Sequence, residues 1–223
     1  MTEEGQAMIK IVLVDDHPIV RQGLVQLLMQ EPDLHVCGEA EDEATALRVV
    51  AQLLPQLVIV DLSLKSGDGI SLIKNLRANH PAIPILVLSM HDEIHYVERA
   101  LRAGALGYLT KQEASMRILP AIRQVLRGEI FLSDHVSPNL LKRLLSGEAD
   151  EDEPVVARLS NRELQVFRLI GEGLGTQEIA GQLNLSVKTI ETYQAHIKDK
   201  LELRDSRKLV QFAIRWTLGS RTS

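Results

Sequence analysis

The residues best suited to chemistry in this sequence are polar side chains that come directly after short apolar runs. In the segment LVIVDLSLKSGDG, residues 57–69, Asp61 follows a run of the kind that is buried in a parallel sheet. The pair Asp15 and Asp16 follows a second such run, and Lys111 comes shortly after a third. An ionised side chain at the end of a buried strand needs a partner, so these residues are the first candidates for a functional site.

Metal binding and nucleophilic attack are the chemistry expected of these carboxylates. Three carboxylates that lie close together repel one another, and they ionise together only if a cation holds them. Magnesium is the expected ion, because it prefers oxygen ligands and keeps water or phosphate oxygens in its shell. The ion and Lys111 would counter the charge of a phosphoryl group on Asp61. Asp61 is therefore a candidate nucleophile for an aspartyl phosphate.

The elements that must position these residues are strands and helices in alternation. Short runs rich in Val, Ile and Leu predict strands over 9–14, 34–36, 57–60, 85–88 and 105–109. Amphipathic stretches between them predict helices over 18–30, 42–53, 69–79, 92–103 and 113–128. Five such units in a row predict an α/β fold with a doubly wound, five-stranded parallel sheet. Ligands bind at the carboxyl ends of such strands, where the aspartates are expected to meet Ser89, Tyr108 and Lys111.

Helix capping is the competing explanation for each acid taken singly. An Asp at the end of a strand often caps the next helix, and Asp16 stands just before a helical stretch. Capping does not explain suitable residues at the ends of four different strands, so the set as a whole favours a site. His17 and His91 lie near the same edge, but neither has a second ligand at metal-binding spacing, and each is interpreted as a surface or rim histidine.

Residues 9–128 resemble a known family. The aspartates at 15–16, Asp61 before LSLKSGDG, Ser89 in VLSMHDE and Lys111 in GYLTK are similar to the motifs of the receiver domain of two-component response regulators. The resemblance implies a flavodoxin-like receiver fold.

The same resemblance implies the metal ligands and the acceptor. Asp61 would be the phosphoacceptor, and Mg²⁺ would be bound by Asp16, by Asp61 and by the main-chain carbonyl of Ser63. Asp15 would act on the ion largely through water.

Three further residues would respond to the phosphoryl group. By the resemblance, Ser89 would bond a phosphoryl oxygen, Lys111 would pair with the phosphate, and Tyr108 would be an aromatic switch that turns inward on activation. The family commonly has proline after its lysine, whereas Gln112 stands here, a departure that is frequent in one subfamily.

The pattern of the sequence changes from Ile130 onward. A short amphipathic helix is predicted near 137–145, and residues 147–154 carry five acids and no base. That composition is typical of an exposed linker, because it cannot bury enough apolar surface to become ordered. We therefore predict a receiver domain over 8–129, a linker over 130–154 and a helical domain over 155–221.

Four short helices are predicted in the last part of the chain. Ser160 and Glu163 form a capping box before the first helix, and others begin at 175–176, at Ser186 and near 206. The turn QLNLS gives the second and third helices the spacing of a helix-turn-helix, whose second helix can enter the major groove. From periodicity alone, a plain helical bundle with a solvated face is the better explanation.

A second family resemblance favours DNA binding. Residues 159–201 are similar to LuxR-type DNA-binding domains, with GTQEIA, LSVKT and the KL at 200–201 as recognisable pieces. The whole chain is thereby identified as a member of the NarL/FixJ subfamily of response regulators. The DNA contacts expected from this resemblance and from the polar face of the third helix are Thr176, Lys188, Thr189, Glu191, Thr192, Ala195 and Lys198. Glu191 and Ala195 stand on the base-reading face, where the family often has lysine.

Composition and charge limit the class of protein. The 223 residues, 45% of them hydrophobic, fit one medium domain and one small one. The single cysteine excludes an internal disulfide and a zinc finger. No run approaches the ~20 apolar residues that span a bilayer, so a cytoplasmic protein with no membrane partner is expected. Residues 1–153 have 14 basic and 23 acidic side chains, net −9, whereas residues 154–223 have 11 and 7, net +4, which suits a DNA-binding tail.

These observations predict a phosphorylation-controlled transcription regulator. A histidine kinase would phosphorylate Asp61, and the protein would then form a homodimer and bind double-stranded promoter DNA, with RNA polymerase as a candidate further partner. The chain would accept and lose a phosphoryl group without being a dedicated enzyme.

Two other functions compete with this prediction. A phosphatase of the haloacid-dehalogenase type needs an acid two residues after the nucleophile, where Ser63 stands. A signalling adaptor whose helical domain binds protein instead of DNA is left open by the sequence.

Overall fold

The structure is a computed structural model that describes residues 8–64, 67–90, 94–132, 153–156 and 158–221. The chain divides into two compact units, residues 1–146 and residues 147–223. The helix predicted near 137–145 and most of the acidic run at 147–154 lie outside the described residues. No helix among those described is both long and apolar enough to cross a membrane.

A parallel sheet forms the centre of the first unit. Its strands are β1 (Ile9–Val14), β2 (Leu34–Ala40), β3 (Leu57–Asp61), β4 (Ile85–Ser89), β5 (Gly107–Thr110) and β6 (Phe131–Leu132). They lie in the order β2-β1-β3-β4-β5-β6, and every neighbouring pair is parallel. The predicted sheet of five parallel strands is confirmed, and β6 is an addition. Two residues are too few to show a period, which is why periodicity did not predict β6.

The sheet is covered by helices with recognisable start signals. They are α1 (Pro18–Leu28), α2 (Glu43–Leu53), α3 (Gly69–Asn79), α4 (Ile94–Ala103) and α5 (Ala114–Leu126). Pro18 occupies the first turn of α1, and Asp42 caps α2 by accepting a hydrogen bond from the Thr45 amide. The predicted start of α4 at residue 92 lies outside the described residues.

The prediction for β2 was too short. The strand continues to Ala40, four residues beyond the predicted end. It lies at the edge of the sheet, so most of its residues are half-buried or exposed and the segment shows no continuous apolar run. By contrast, every residue of β3 and of β4 is buried, and their apolar runs predicted the strands to within one residue.

The strand order brings the ends of β1, β3, β4 and β5 to one edge. β1 has β2 on one side and β3 on the other, so the chain reverses its winding direction between β1 and β3. In the register of the sheet, Val14 pairs with Val60, Asp61 with Leu88, and Ser89 with Thr110. The residues that follow these strands therefore emerge side by side, as expected for a crevice at a topological switch point.

The second unit is helical. Its elements are α6 (Glu153–Val156), α7 (Asn161–Gly171), α8 (Thr176–Leu183), α9 (Val187–Lys200) and α10 (Ser206–Arg221). The four predicted helices are present, and α6 adds a single turn. Both hydrogen bonds of the capping box predicted at Ser160 and Glu163 are formed, at 3.3 and 2.7 Å. The core contains Phe167, whose ring centroid lies 5.6 Å from that of Phe212 and 5.6 Å from that of Trp216.

Candidate functional site

Three buried carboxylates lie together at the carboxyl edge of the sheet. Asp15, Asp16 and Asp61 are 3%, 7% and 1% exposed. Ligand atoms from these three residues and from His17 all lie within 4.8 Å of one another. Asp15 and Asp16 directly follow β1, and Asp61 is the last residue of the neighbouring β3. The structure thus brings together the three aspartates that the sequence singled out.

Lys111 reaches into this cluster from the segment after β5. Its Nζ lies 2.8 Å from Asp61 Oδ2 and 2.6 Å from Asp15 Oδ2, and its side chain is 7% exposed. The backbone amide of Lys111 donates to the carbonyl of Ser89 at the end of β4. Burial opposes the charge on the amine, but the Asp61 and Asp15 carboxylates outweigh burial and raise the pKa of Lys111 above its ordinary value. Lys111 therefore remains a buried cation.

The electrostatics of Asp61 indicate that the site accepts further positive charge. Burial raises the pKa of Asp61 above its ordinary value, and the Asp15 carboxylate adds to the rise, while Lys111 and the Ser63 amide act in the opposite direction. The single positive charge of Lys111 thus does not compensate for the burial and the mutual repulsion of these carboxylates. The three carboxylates supply hard oxygen atoms, which suit Mg²⁺, so the residues present fit a magnesium ion.

The other predicted residues of this site are buried around Asp61. The Ser63 amide donates to Asp61 Oδ1 at 3.0 Å, and Ser63 is almost fully buried. Ser89 ends β4, next to β3, and is fully buried. Tyr108 lies in β5 between Val87 of β4 and Leu132 of β6 and is also fully buried. The aromatic residue predicted as a switch is therefore inside the protein in this structure.

Two residues near the aspartate pair gain significance from the structure. The N-cap of α1 is His17 and not Asp16, so the capping explanation for Asp16 does not apply here. Arg21, one turn into α1, donates from Nη1 to the Asp15 carbonyl at 2.6 Å and from Nε to Glu39 at 2.7 Å. Arg21 thereby holds the backbone of the aspartate pair against β2. Sequence reasoning missed Arg21 because its only signal was its position on a predicted helix.

The helix-turn-helix residues lie on α8 and α9. Asn184 joins these helices in the left-handed conformation, with φ of 52°, and Ser186 caps α9. Gln194 of α9 donates to Thr176 Oγ1 of α8 at 3.2 Å and so links the two helices. Ile190 and Ile197 of α9 are buried.

Most of the predicted DNA-contacting residues share the polar face of α9. Exposed side chains are those of Lys188, Glu191, Thr192 and Ala195, and half-buried ones are those of Thr176, Thr189 and Lys198. The Thr189 hydroxyl lies 2.7 Å from that of Ser186, and the Thr192 hydroxyl donates to the Lys188 carbonyl.

The period of the sequence places Val187 with Ile190 and Ile197 on the apolar side of α9, but the structure does not bury it. Val187 is 40% exposed, because it occupies the first position of α9, before the turn whose side chains pack into the core.

An ion pair between a buried glutamate and an exposed lysine joins α7 to α9 in this unit. Glu163 is nearly fully buried, and its Oε2 lies 2.6 Å from Lys200 Nζ. Burial raises the pKa of Glu163, but the hydrogen bonds from Lys200 and from Ser160 outweigh it, so the net shift is downward. A carboxylate with a lowered pKa contributes stability that is complete above its ordinary pKa, about 4.3, and is lost as pH falls through the folded value.

Glu163→Gln is therefore expected to lower the free energy of unfolding by about 1.5 kcal/mol at neutral pH. The difference from the unaltered protein should shrink as the pH falls below about 4. Denaturant unfolding followed by fluorescence of Trp216, the single tryptophan, measures both effects. Glu178→Gln is the control, since Glu178 caps α8 in the same way from an exposed position. Equal destabilisation by both variants, or a difference independent of pH, would contradict the assignment.

Comparisons with known proteins agree with both parts of the chain. Residues 11–123 match the family of response regulator receiver domains, and residues 157–213 match the luxR family of bacterial regulatory proteins. The oxygen regulatory protein NreC of Staphylococcus carnosus is 34% identical over 210 residues, which are 92% of this chain and 97% of NreC. NreC of Staphylococcus aureus is 35% identical over 211 residues, with the same coverage.

Solved structures give the same result. The response regulator RcsB of Salmonella typhimurium, described for its conformational dynamism in DNA interaction, has a TM-score of 0.56 and 31% identity. The match covers 93% of this chain and 98% of RcsB. A complex of RcsB with DNA gives a TM-score of 0.57 at 31% identity, over 92% of this chain and 97% of RcsB.

Proposed function

This chain belongs to the NarL/FixJ-type response regulators, which are phosphorylation-regulated transcription regulators, and from this premise we propose how its own residues do the work. A partner histidine kinase phosphorylates Asp61, and the phosphorylated protein pairs with a second copy and binds promoter DNA through α9. The proposed limits are 8–129 for the receiver, 130–154 for the linker and 155–221 for the DNA-binding domain. A regulator that binds the chromosome works in the cytoplasm, with RNA polymerase as its candidate further partner.

The observation that carries this proposal is the position of Lys111. Its ammonium contacts Asp61 and Asp15 at 2.8 and 2.6 Å inside a buried carboxylate cluster. A cation so placed can pair with a phosphoryl group on Asp61, whose charge would otherwise be repelled by Asp15 and Asp16. Simple structural ion pairing does not require two further buried carboxylates beside the first.

Phosphoryl transfer follows from these contacts. An Asp61 carboxylate oxygen attacks phosphorus, and the bond from phosphorus to the donor breaks with its electron pair going to the leaving group. Lys111 pairs with the phosphoryl oxygens, the Ser89 hydroxyl donates to one of them, and the Ser63 amide orients the Asp61 carboxylate. A magnesium ion bound by Asp16, Asp61 and the Ser63 carbonyl, with Asp15 acting through water, would neutralise the charge that gathers at phosphorus. The hydrogen bond from Ser89 to the phosphoryl group and the position of the Tyr108 ring then change the conformation of the rest of the receiver.

An open groove beside Lys111 is the proposed approach for the kinase. It lies between α1 and α5, has a volume of about 400 Å³, and is lined by Ile19, Leu27 and Ala114 among others. Ile19 is strongly exposed for an apolar residue, and it stands two residues after His17 at the rim of the site. Apolar contact here would bring a donor histidine to Asp61.

The proposed pairing surface of the DNA-binding domain is an apolar stripe on α10. Val210, Ile214 and Leu218 are spaced four residues apart on one face, and they are 42%, 38% and 61% exposed. A second copy is the proposed occupant, because one small helix-turn-helix makes too few contacts for tight specific binding. Dimers of RcsB bound to DNA have been solved, and we extend that arrangement to this chain.

Glu191 tests how α9 reads DNA. A glutamate facing a polyanion is unfavourable unless it accepts a hydrogen bond from the amino group of cytosine. If it does, Glu191→Ala should reduce discrimination at one C·G position by ~1–3 kcal/mol, even though general affinity rises as a negative charge is lost. If Glu191 only pairs with Lys188 on the surface, a contact worth about 0.2–0.5 kcal/mol, affinity for all sequences should rise together. Binding-site selection distinguishes the two, and an unaltered base preference eliminates the readout role.

Lys188→Ala is the control for this experiment. A phosphate contact should weaken binding to every sequence alike and reduce the slope of log affinity against log salt by about one.

The direct test of the proposed function compares the phosphorylated with the unphosphorylated protein. Treatment with acetyl phosphate and Mg²⁺ should add one phosphoryl group per chain and increase salt-dependent binding to genomic DNA fragments. If DNA binding is absent in both states, the helical domain binds protein instead, as in a signalling adaptor.

A further inference from the structure

The His17 imidazole lies among the same carboxylates as the proposed metal site. Its Nδ1 is 2.7 Å from Asp16 Oδ1, 3.1 Å from Asp15 Oδ1 and 3.8 Å from Asp61 Oδ2. Among the residues that the structure describes, no other histidine or cysteine lies this close to two or more carboxylates. The expectation that His17 is a surface or rim histidine accounts for its 46% exposure, but not for this convergence.

These distances are those of atoms that share one metal ion. Ligands of a transition metal stand about 2.0–2.2 Å from the ion. Two such ligands are therefore about 3.0 Å apart in an octahedral shell and about 3.4 Å apart in a tetrahedral one, by the geometry of those bond lengths. The three separations at Nδ1 bracket these values. Two of these separations, to Asp16 and to Asp15, are also those of a hydrogen bond from a protonated Nδ1, so the ring nitrogen is already directed at the carboxylates that a metal would bridge.

The local structure places the His17 ring beside the carboxylates without using it as a helix cap. Its side chain makes no capping hydrogen bond at the start of α1, although it occupies the N-cap position. Its backbone amide donates to Asp15 Oδ1 at 2.7 Å, so the backbone is held next to the carboxylates. The ring Nδ1 pairs with Asp15 and Asp16, and a metal ion would take the place of the Nδ1 proton between these atoms.

We infer that His17 is a nitrogen ligand that lets this centre take a divalent transition metal, Zn²⁺ above all, in competition with Mg²⁺. The inference rests on the proposed function in that the carboxylates are those of the proposed magnesium site. Zinc binds imidazole nitrogen and carboxylate oxygen together, whereas magnesium selects oxygen. The affinity of a mixed site of nitrogen and oxygen ligands also rises toward the later transition metals.

The two ions would have opposite consequences for phosphorylation. Asp15, Asp16, His17 and Asp61 can supply four ligands, which is the full shell of a closed zinc site. A closed shell leaves no position for a phosphoryl oxygen. Magnesium keeps water in its shell, and phosphoryl oxygens can replace that water. Zinc should therefore inhibit phosphoryl acceptance.

The test measures metal binding on the full-length protein after removal of metal with a chelator. Competition with a chromophoric zinc indicator should show one Zn²⁺ per chain that Mg²⁺ displaces at high concentration. In His17→Asn, Zn²⁺ affinity should fall at least tenfold, since even outer-shell substitutions at metal sites cost about 10–100-fold. Mg²⁺ affinity should be unchanged. Asn is a preferred N-cap residue, so this variant is expected to fold at least as well as the unaltered protein.

Manganese provides a direct view of the nitrogen ligand. Electron spin echo spectra of bound Mn²⁺ should show modulation from a coordinated ¹⁴N nucleus in the unaltered protein and lose it in His17→Asn. The matched control is His80→Asn, which removes another histidine of the same unit at the end of α3 and should change neither measurement. Zinc should inhibit labelling by acetyl phosphate in the unaltered protein and not in His17→Asn.

Equal zinc affinity in His17→Asn and the unaltered protein would overturn the inference. So would the absence of ¹⁴N modulation, or its persistence in His17→Asn. The binding measurements involve no phosphoryl transfer, so a failure of Asp61 to accept phosphate would appear separately, as unlabelled protein in magnesium alone.

Discussion

The Asp61→Asn protein is expected to take up no phosphoryl group from acetyl phosphate. An amide nitrogen or oxygen cannot replace the carboxylate as the nucleophile, and Asp15 and Asp16 lie on a different strand end, without the Ser63 amide that orients Asp61. Intact-mass measurement should show the added phosphoryl mass on the unaltered chain, only when Mg²⁺ is present, and no added mass on the variant.

Folding of this variant is not at risk. Lys111 keeps its contact with Asp15 at 2.6 Å, so it is not left as an unpaired buried cation. Burial and Asp15 raise the pKa of Asp61, so loss of its charge removes an unfavourable group, and the free energy of unfolding should not fall. Denaturant unfolding measures this directly.

Asp68→Asn is the matched control for Asp61→Asn. Asp68 lies in the loop after Asp61 and caps α3 through the Ser71 amide, a role that Asn also fills. Labelling should persist in this variant. Stoichiometric labelling of Asp61→Asn would show that the acceptor is another residue.

Phosphorylation is expected to tighten binding to a DNA site with two half-sites by about 100-fold, and Ile214→Arg should remove that gain. The gain arises because a paired protein binds its second half-site as an intramolecular step. Arginine at position 214 places a charge in the middle of the apolar stripe on α10. Added positive charge would by itself strengthen contact with DNA, so a loss of affinity can be attributed to lost pairing.

DNA with a single half-site provides the internal control. Ile214→Arg should bind a single half-site at least as well as the unaltered protein, since α9 is untouched. Sedimentation of the phosphorylated proteins should show a dimer for the unaltered chain and a monomer for the variant. Equal affinity of both proteins for the double site would exclude α10 as the pairing surface.

Ser63 bears on the alternative of a phosphatase. That chemistry needs a general acid two residues after the nucleophile, and the structure places at this position a buried serine whose amide donates to Asp61. This arrangement orients Asp61 but provides no carboxylic acid that could protonate a leaving group. The family of this chain is one of DNA-binding transcription regulators.

Sequence patterns were enough to predict most of the secondary structure and the edge of the sheet at which the carboxylate site lies. Apolar runs at 9–14, 57–60 and 85–88 predicted strands to within one residue, because β3 and β4 are buried throughout and β1 is buried over its last four residues. Residues that follow neighbouring parallel strands must emerge at the same edge, so Asp15, Asp16 and Asp61 could be placed together without coordinates. The capping box at Ser160 was equally predictable, since both of its hydrogen bonds lie within four residues.

Contacts between atoms of different elements could not be predicted and became visible in the folded chain. The bridge from Lys111 to both Asp15 and Asp61, the position of His17 Nδ1 among three carboxylates, and the link from Gln194 to Thr176 each join separate elements. Such contacts depend on strand register, which shifts between Ile11 and Val12 where β1 pairs with β2, and on helix placement. Periodicity reports which side of one element is apolar, but it contains no distance between side chains of different elements, and so it could not assign His17 a partner.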